Sequence, residues 1–129
     1  MNQNELEKIV KEMAESSQGE EGVVEFRYHN ISLYLISDTV HDRMRIIAPV
    51  AEYDRLSNEQ LHDILESNYH KSLDARYAVS DGVLYSAYIH PLSVLTEEQI
   101  ESAVIQVTNL AKSFGKEYSS GVLTYGGNQ

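Results

Sequence analysis

Leu56-Ser57-Asn58-Glu59-Gln60-Leu61 and Leu95-Thr96-Glu97-Glu98-Gln99-Ile100 carry the same signature, and each reads as a complete helix N-terminus. Ser57 and Thr96 occupy the N-cap, where a hydroxyl accepts a hydrogen bond from an orphan backbone N–H. Gln60 and Gln99, three residues on, can reach back to the cap's own N–H, and Leu56 with Leu61, like Leu95 with Ile100, can form a hydrophobic staple. Each motif follows an apolar, strand-like run that stops near a proline, Pro49 or Pro91. Strand, proline, short loop and capped helix therefore occur twice.

Working outward, apolar spacing predicts the remaining elements. Leu6, Ile9, Val10 and Met13 follow i, i+3, i+4, i+7 spacing and predict an amphipathic helix over Asn4 to Met13, capped by Asn2 or Asn4 and ended by Ser16-Ser17-Gln18-Gly19. Alternation predicts strands at Val23–Tyr28, Ile31–Ser37 and Arg43–Ala48, joined by connections short enough for an antiparallel meander. The helix after Ser57 is expected to reach about Leu73, with Leu61, Ile64, Leu65, Asn68, Tyr69 and Leu73 along one face. Asp81-Gly82 is a strong hairpin signal between Arg76–Val79 and Val83–His90. The helix after Thr96 should bury Ile100, Ala103, Val104, Val107, Ala111 and Phe114. Residues 119–129 form a tail in which Val122–Tyr125 could add a short strand.

The expected fold class is α+β, in the order α-β-β-β-α-β-β-α. An antiparallel sheet with the helices mainly on one face buries all three apolar stripes. The 129 residues suit one domain, 1–129, with a sizeable core.

Composition narrows the function classes. The net charge is -10, from 20 acidic and 10 basic residues, so the chain should repel phosphate backbones. No nucleic-acid partner is expected. No apolar run approaches the ~20 residues of a membrane span, so no membrane partner is expected either. The first dozen residues lack a signal peptide's basic start and apolar middle. Cysteine is absent, which removes disulfides and thiolate sites and makes a reducing cytoplasm the expected location.

Chemistry-bearing motifs are sparse. His62, Glu66 and His70 share a helix face, but the two histidines would lie ~12 Å apart at 1.5 Å per residue, too far for one ion. No nucleophile elbow, phosphate-binding loop or dinucleotide fingerprint occurs. No catalytic residue, metal or cofactor is therefore assigned. The charge distribution is more informative. All five lysines (Lys8, Lys11, Lys71, Lys112 and Lys116) fall where helix is expected, whereas Arg27, Arg43, Arg45 and Arg76 fall on expected strands. The sheet face turned away from the helices should be polar if water covers it. Alternation instead places Tyr34, Ile36, Ile47 and Tyr88 there, beside Arg27, Arg43, Arg45 and His90. Tyrosine and arginine are favoured at protein interfaces. Tyr34, Ile36, Arg45, Ile47, Tyr85 and Tyr88 are thus the expected interface. The alternative is a small-molecule or enzymatic pocket in which Arg27, Arg43, Arg45 and Arg76 grip an anion.

The element order, with Leu33-Tyr34-Leu35-Ile36-Ser37-Asp38, Arg43-Met44-Arg45-Ile46-Ile47-Ala48-Pro49 and Leu73-Asp74-Ala75-Arg76-Tyr77-Ala78-Val79, resembles the YbjN-type bacterial proteins, a group similar in fold to the class I type III secretion chaperones. The resemblance implies a small acidic α+β protein, usually a homodimer, either regulatory or holding an unfolded segment of another protein. It also implies a contribution of the second helix to dimerisation, which would add Leu65 and Tyr69. Shared fold alone does not transfer function.

Overall fold

Helix α1 (Gln3–Met13) is followed by four strands, β1 (Ser16–Glu20), β2 (Val23–Tyr28), β3 (Ile31–Asp38) and β4 (Arg43–Glu52), then α2 (Asn58–His70), β5 (Arg76–Ser80), β6 (Val83–His90) and α3 (Glu97–Lys112). The structure, a computed structural model, describes residues 1–121. The expected strand at Val122–Tyr125 lies outside the described residues. The six strands form one antiparallel sheet in the order β1-β2-β3-β4-β6-β5.

Both capping boxes form as the sequence dictates. Ser57 Oγ accepts from Gln60 N at 3.1 Å while Gln60 Oε1 accepts from Ser57 N at 2.9 Å. Thr96 and Gln99 repeat the exchange at 3.2 and 3.0 Å. A third box caps α1, with Asn2 at the N-cap and Glu5 reaching back to it.

Inward strand residues Val24, Phe26, Leu33, Leu35, Met44, Ile46 and Leu84 meet Leu6 and Val10 of α1, Ile64 of α2 and Ile100, Val104 and Val107 of α3 in one core. The helices thus cover one side of the sheet, the expected α+β arrangement.

Three local expectations are corrected. Ser16–Glu20, read as the stop after α1, is an additional strand. All five of its residues are exposed, so it has no apolar alternation to betray it, and it is held by backbone pairing to β2. Gly19 in it has φ +127°, and a Cβ there would stand 2.4 Å from the Val23 carbonyl oxygen, so only glycine fits. Second, β4 runs through Pro49 to Glu52, with a register shift between Pro49 and Ala51. By the alternation of the ladder, the Pro49 nitrogen faces β3 beyond the last β3–β4 pair, Tyr34 with Ile47, so no ladder hydrogen bond is lost. Third, α2 ends at His70 and presents Ile64 and Ser67 to the core, leaving Leu65 and Tyr69 exposed. At 100° per residue, these two lie 100–140° around the helix from Ile64.

Polar side chains finish the edges. Asn68 holds the free edge of β5 by accepting from Tyr77 N at 2.9 Å and donating to Tyr77 O at 3.1 Å. Of the expected tail, Ser119 and Ser120 are buried, and Ser120 Oγ accepts from Leu73 N at 2.7 Å. Tyr118 packs edge-on against Tyr77 and Phe114.

The β3–β4 turn is tied to the β6–α3 connection by one carboxylate. Asp42, at φ 54°, accepts from Ser93 N and Ser93 Oγ, both at 2.7 Å. The Ser93 hydroxyl, then its amide, holds the Asp42 carboxyl below the ordinary value of 3.8. A depressed folded-state pKa contributes stability that is present above the unfolded value and is lost as pH falls through the folded one. Asp42→Asn, which tolerates the left-handed backbone, should therefore lower the urea midpoint at neutral pH. The gap to wild type should close by about pH 2; a gap constant across that range would refute the assignment.

Candidate functional site

The side of the sheet opposite the helices has no helix over it among the described residues, and the strand registers fix what it displays. Across the sheet run Glu20, Val23, Ile36, Arg45 and Ile89 as one row, and Gln18, Glu25, Tyr34, Ile47, Ala87 and Arg76 as the next. A third row sets Arg27 and Ser32 at one side and Pro49, Tyr85 and Ala78 at the other. Residues on one strand face stand two apart, so these side chains share one surface. Val23 and Ile89 are 53% and 54% exposed, and Tyr34, Ile36, Ile47 and Tyr85 are half-buried by their neighbours alone.

Of the residues expected there, Tyr34, Ile36, Arg45, Ile47 and Tyr85 are on this face. Tyr88 is not. It points to the helix side, is 6% exposed, and stacks its ring 5.9 Å from that of His90, which shares the inward parity. Burial first, and the Asp74 charge second, raise the Tyr88 phenol above its ordinary pKa. The cause of the misplacement is local. Val83–Ile89 is apolar on both faces, so alternation could not choose between the two settings. The inward face is fixed by Ser86, fully buried, whose Oγ donates to Val107 O at 2.9 Å. Val23, Ala87 and Ile89 are the surface residues that sequence reasoning missed.

The four strand arginines, Arg27, Arg43, Arg45 and Arg76, all occupy the open face; Arg43 and Arg45 are neighbours on β4, and the outer two are far apart. Arg27 on β2 and Arg76 on β5 stand four strands apart, about 19 Å at ~4.8 Å per strand. Apolar side chains fill the ground between them. Four depressions among the described residues lie against α3 and the Lys116–Gly121 segment, against α2 and Tyr118, along α1, and between β6 and the start of α3.

On α2, Leu65 and Tyr69 are 72% and 83% exposed and one helical turn apart, on a surface separate from the sheet. The turn beside them sets His62 3.7 Å from Asp63 and 4.0 Å from Glu66, while His70 takes no part. One ligand atom from each of His62, Asp63 and Glu66 lies within 4.8 Å of the others, a grouping common among exposed acidic side chains on a helix. At the β3–β4 turn, His41 Nδ1 lies 2.7 Å from Asp38 Oδ2, and this contact is the main cause of a lowered Asp38 pKa.

No protein-family model matches the chain, and no curated protein matches it significantly. Solved structures do match in fold. One is the Yersinia pestis type III secretion chaperone SycH in complex with a stable fragment of YscM2, at 18% identity and TM-score 0.64, covering 87% of this chain and 98% of that one. A second is the ExsC-ExsE complex, at 14% identity and TM-score 0.62, covering 85% and 90%. A third is the HopA1-SchA chaperone-effector complex, at 13% identity and TM-score 0.61, covering 87% and 88%. The chain therefore has the fold seen in type III secretion chaperone structures. At these identities the likeness defines architecture alone. No helix among the described residues is long and apolar enough to cross a membrane.

Proposed function

We propose that this chain is a non-enzymatic, cytoplasmic protein-binding module, chaperone-like or regulatory, that acts as a homodimer. The observation that carries the reading is the open sheet face, whose centre is Tyr34, Ile36, Ile47, Tyr85 and Ala87, with no helix among the described residues above it. An apolar surface rimmed by polar groups marks an interaction site in soluble proteins. The structural neighbours add support, since they were crystallised as complexes with a second protein. Kinship with the YbjN-type proteins belongs to the same reading. The anion pocket draws less support, because Arg27 and Arg76 are too far apart to close with Arg43 and Arg45 on one small ligand.

The dimer is assigned to α2. Two copies of the sheet face would set arginines against arginines, and like charges opposed across an interface are costly. Leu65 and Tyr69 carry no charge and are free to pack against their counterparts about a two-fold axis. The double variant Leu65→Glu/Tyr69→Glu should sediment as a monomer at micromolar concentrations where the wild type is a dimer. Its thermal midpoint measured as a monomer should stay near that of dissociated wild type, because neither side chain is in the core. A double variant that sediments like a dimeric wild type would refute the α2 interface, and a monomeric wild type would refute the dimer.

A further inference from the structure

We infer that the cleft between β6 and the start of α3 binds an organic cation that carries N–H donors, an alkylammonium or guanidinium group. The cleft does not depend on the reading of the open face. It is a depression of about 300 Å³ lined by Asp74, Tyr88, Ile89, His90, Gln99 and Ser102. That volume is near the lower limit for a ligand cavity.

Tyr88 is the residue that points to a ligand. The buried hydroxyl of Tyr77 donates to Leu110 O at 2.6 Å. Tyr88 is 6% exposed, yet its hydroxyl has no such partner among the described residues. The fully enclosed side-chain atoms without a partner are Ser72 Oγ and Thr108 Oγ1, so the Tyr88 hydroxyl opens to the cleft. Burial, then the Asp74 charge, keep this phenol protonated, which sets the carboxylate within electrostatic reach of it.

The neighbours of Tyr88 supply acceptors. His90 Nδ1 lies 2.8 Å from the Pro91 carbonyl, which only accepts, so Nδ1 carries the proton and the neutral ring presents a bare Nε2. The ring is held in place by its parallel stack on Tyr88. Asp74 gives one oxygen to a neutral donor, Gln106 Nε2 at 3.2 Å, and keeps the other.

The charges favour a cation. Asp74 is the charged residue of the lining, and Glu98 stands one helical turn before Ser102. Arg76, on the open face, bonds the Leu73 and Ala75 carbonyls at 3.0 Å and lies beyond salt-bridge distance of the Asp74 carboxylate. The α3 N-terminus could attract an anion, but its Gln99 amide is already held by Thr96 Oγ1 at 3.2 Å. An ammonium group has three donors for the Asp74 carboxylate, the Tyr88 oxygen and His90 Nε2, whereas a carboxylate has none.

The test uses the full chain and three probes of one shape: n-butylammonium, 1-butanol and butyrate. Each is titrated at about pH 8 and read by NMR on the Tyr88 and His90 ring resonances. n-Butylammonium should bind at least about tenfold more tightly than 1-butanol, the ratio expected of one charge-assisted hydrogen bond. Asp74→Asn keeps an acceptor for Gln106 and removes the charge, so it should abolish that ratio at an unchanged thermal midpoint. Tyr88→Phe keeps the ring and should weaken n-butylammonium by about threefold or more. Equal binding of n-butylammonium and 1-butanol, or tighter binding of butyrate, overturns the cation assignment. Undiminished binding by Asp74→Asn overturns the site, as do ring resonances that no probe shifts. A capped Gly-Lys-Gly peptide bound more tightly than n-butylammonium upholds the cleft as a seat for a partner's side chain; weaker peptide binding upholds it as a seat for a free amine. Failure of the cleft leaves the open-face reading standing.

Discussion

Gln106→Leu should lower stability by roughly 2–4 kcal/mol, although it exchanges one side chain for another of similar size and greater apolarity. Gln106 lies on α3, 3% exposed, between the helix and the start of β5. Its Oε1 accepts from Asp74 N at 2.8 Å and from Ala75 N at 3.0 Å. Its Nε2 donates to Asp74 Oδ2 at 3.2 Å and to Ser102 Oγ at 2.9 Å. Four bonds on one buried amide leave nothing unsatisfied. Leucine would strand two backbone N–H groups where the chain enters β5, and each such loss costs on the order of 1–3 kcal/mol. Urea denaturation checks this. An unchanged midpoint would mean that water reaches both amides and that the side chain is a spectator.

Tyr88→Glu should unfold the protein at room temperature or come close to it. Removing a buried aromatic ring costs about 3–5 kcal/mol, and a carboxylate left in its place adds a desolvation penalty. Domains of this size have only ~5–15 kcal/mol in hand. Ile47→Glu makes the complementary case. Ile47 faces the open side, so its substitution should cost about 1 kcal/mol or less and act on partner binding instead. Far-ultraviolet circular dichroism with thermal melts separates the two. A stable Tyr88→Glu beside an unfolded Ile47→Glu would mean that β6 and β4 are turned over relative to their described register.

These two substitutions also mark how far the sequence could be read. Helix starts were legible because Ser57, Gln60, Thr96 and Gln99 make short-range bonds that need no tertiary context. The arginines were legible as a set because Arg27, Arg43 and Arg45 sit in clean alternation. Tyr88 was not, because both parities of Val83–Ile89 are apolar and the choice between them depends on Ser86 meeting the Val107 carbonyl. The separation of Leu65 and Tyr69 from the face of Ile64 was hidden for a related reason. The apolar residues of α2 span more of its circumference than β5 and the core can cover, and only packing shows which of them are left out. The strand β1 gave no signal, since hydrogen bonding to β2 alone maintains it. Gln106 was invisible as a structural residue because the backbone amides it holds lie more than thirty positions away.

The order of strands in the sheet has a kinetic consequence. Every neighbouring pair is consecutive in sequence except β4 with β6, which meet across the whole of α2 and β5. Four hairpin closures are local and can form within microseconds, whereas the β4–β6 seam requires the ends of a thirty-residue stretch to find each other. The largest loop-closure cost in the sheet therefore falls there, between the meander that begins the described chain and the hairpin that follows α2. Shortening the stretch between β4 and β5 would speed that encounter, and loosening the Met44–Glu52 pairing with β6 would slow it, with the other hairpins already made.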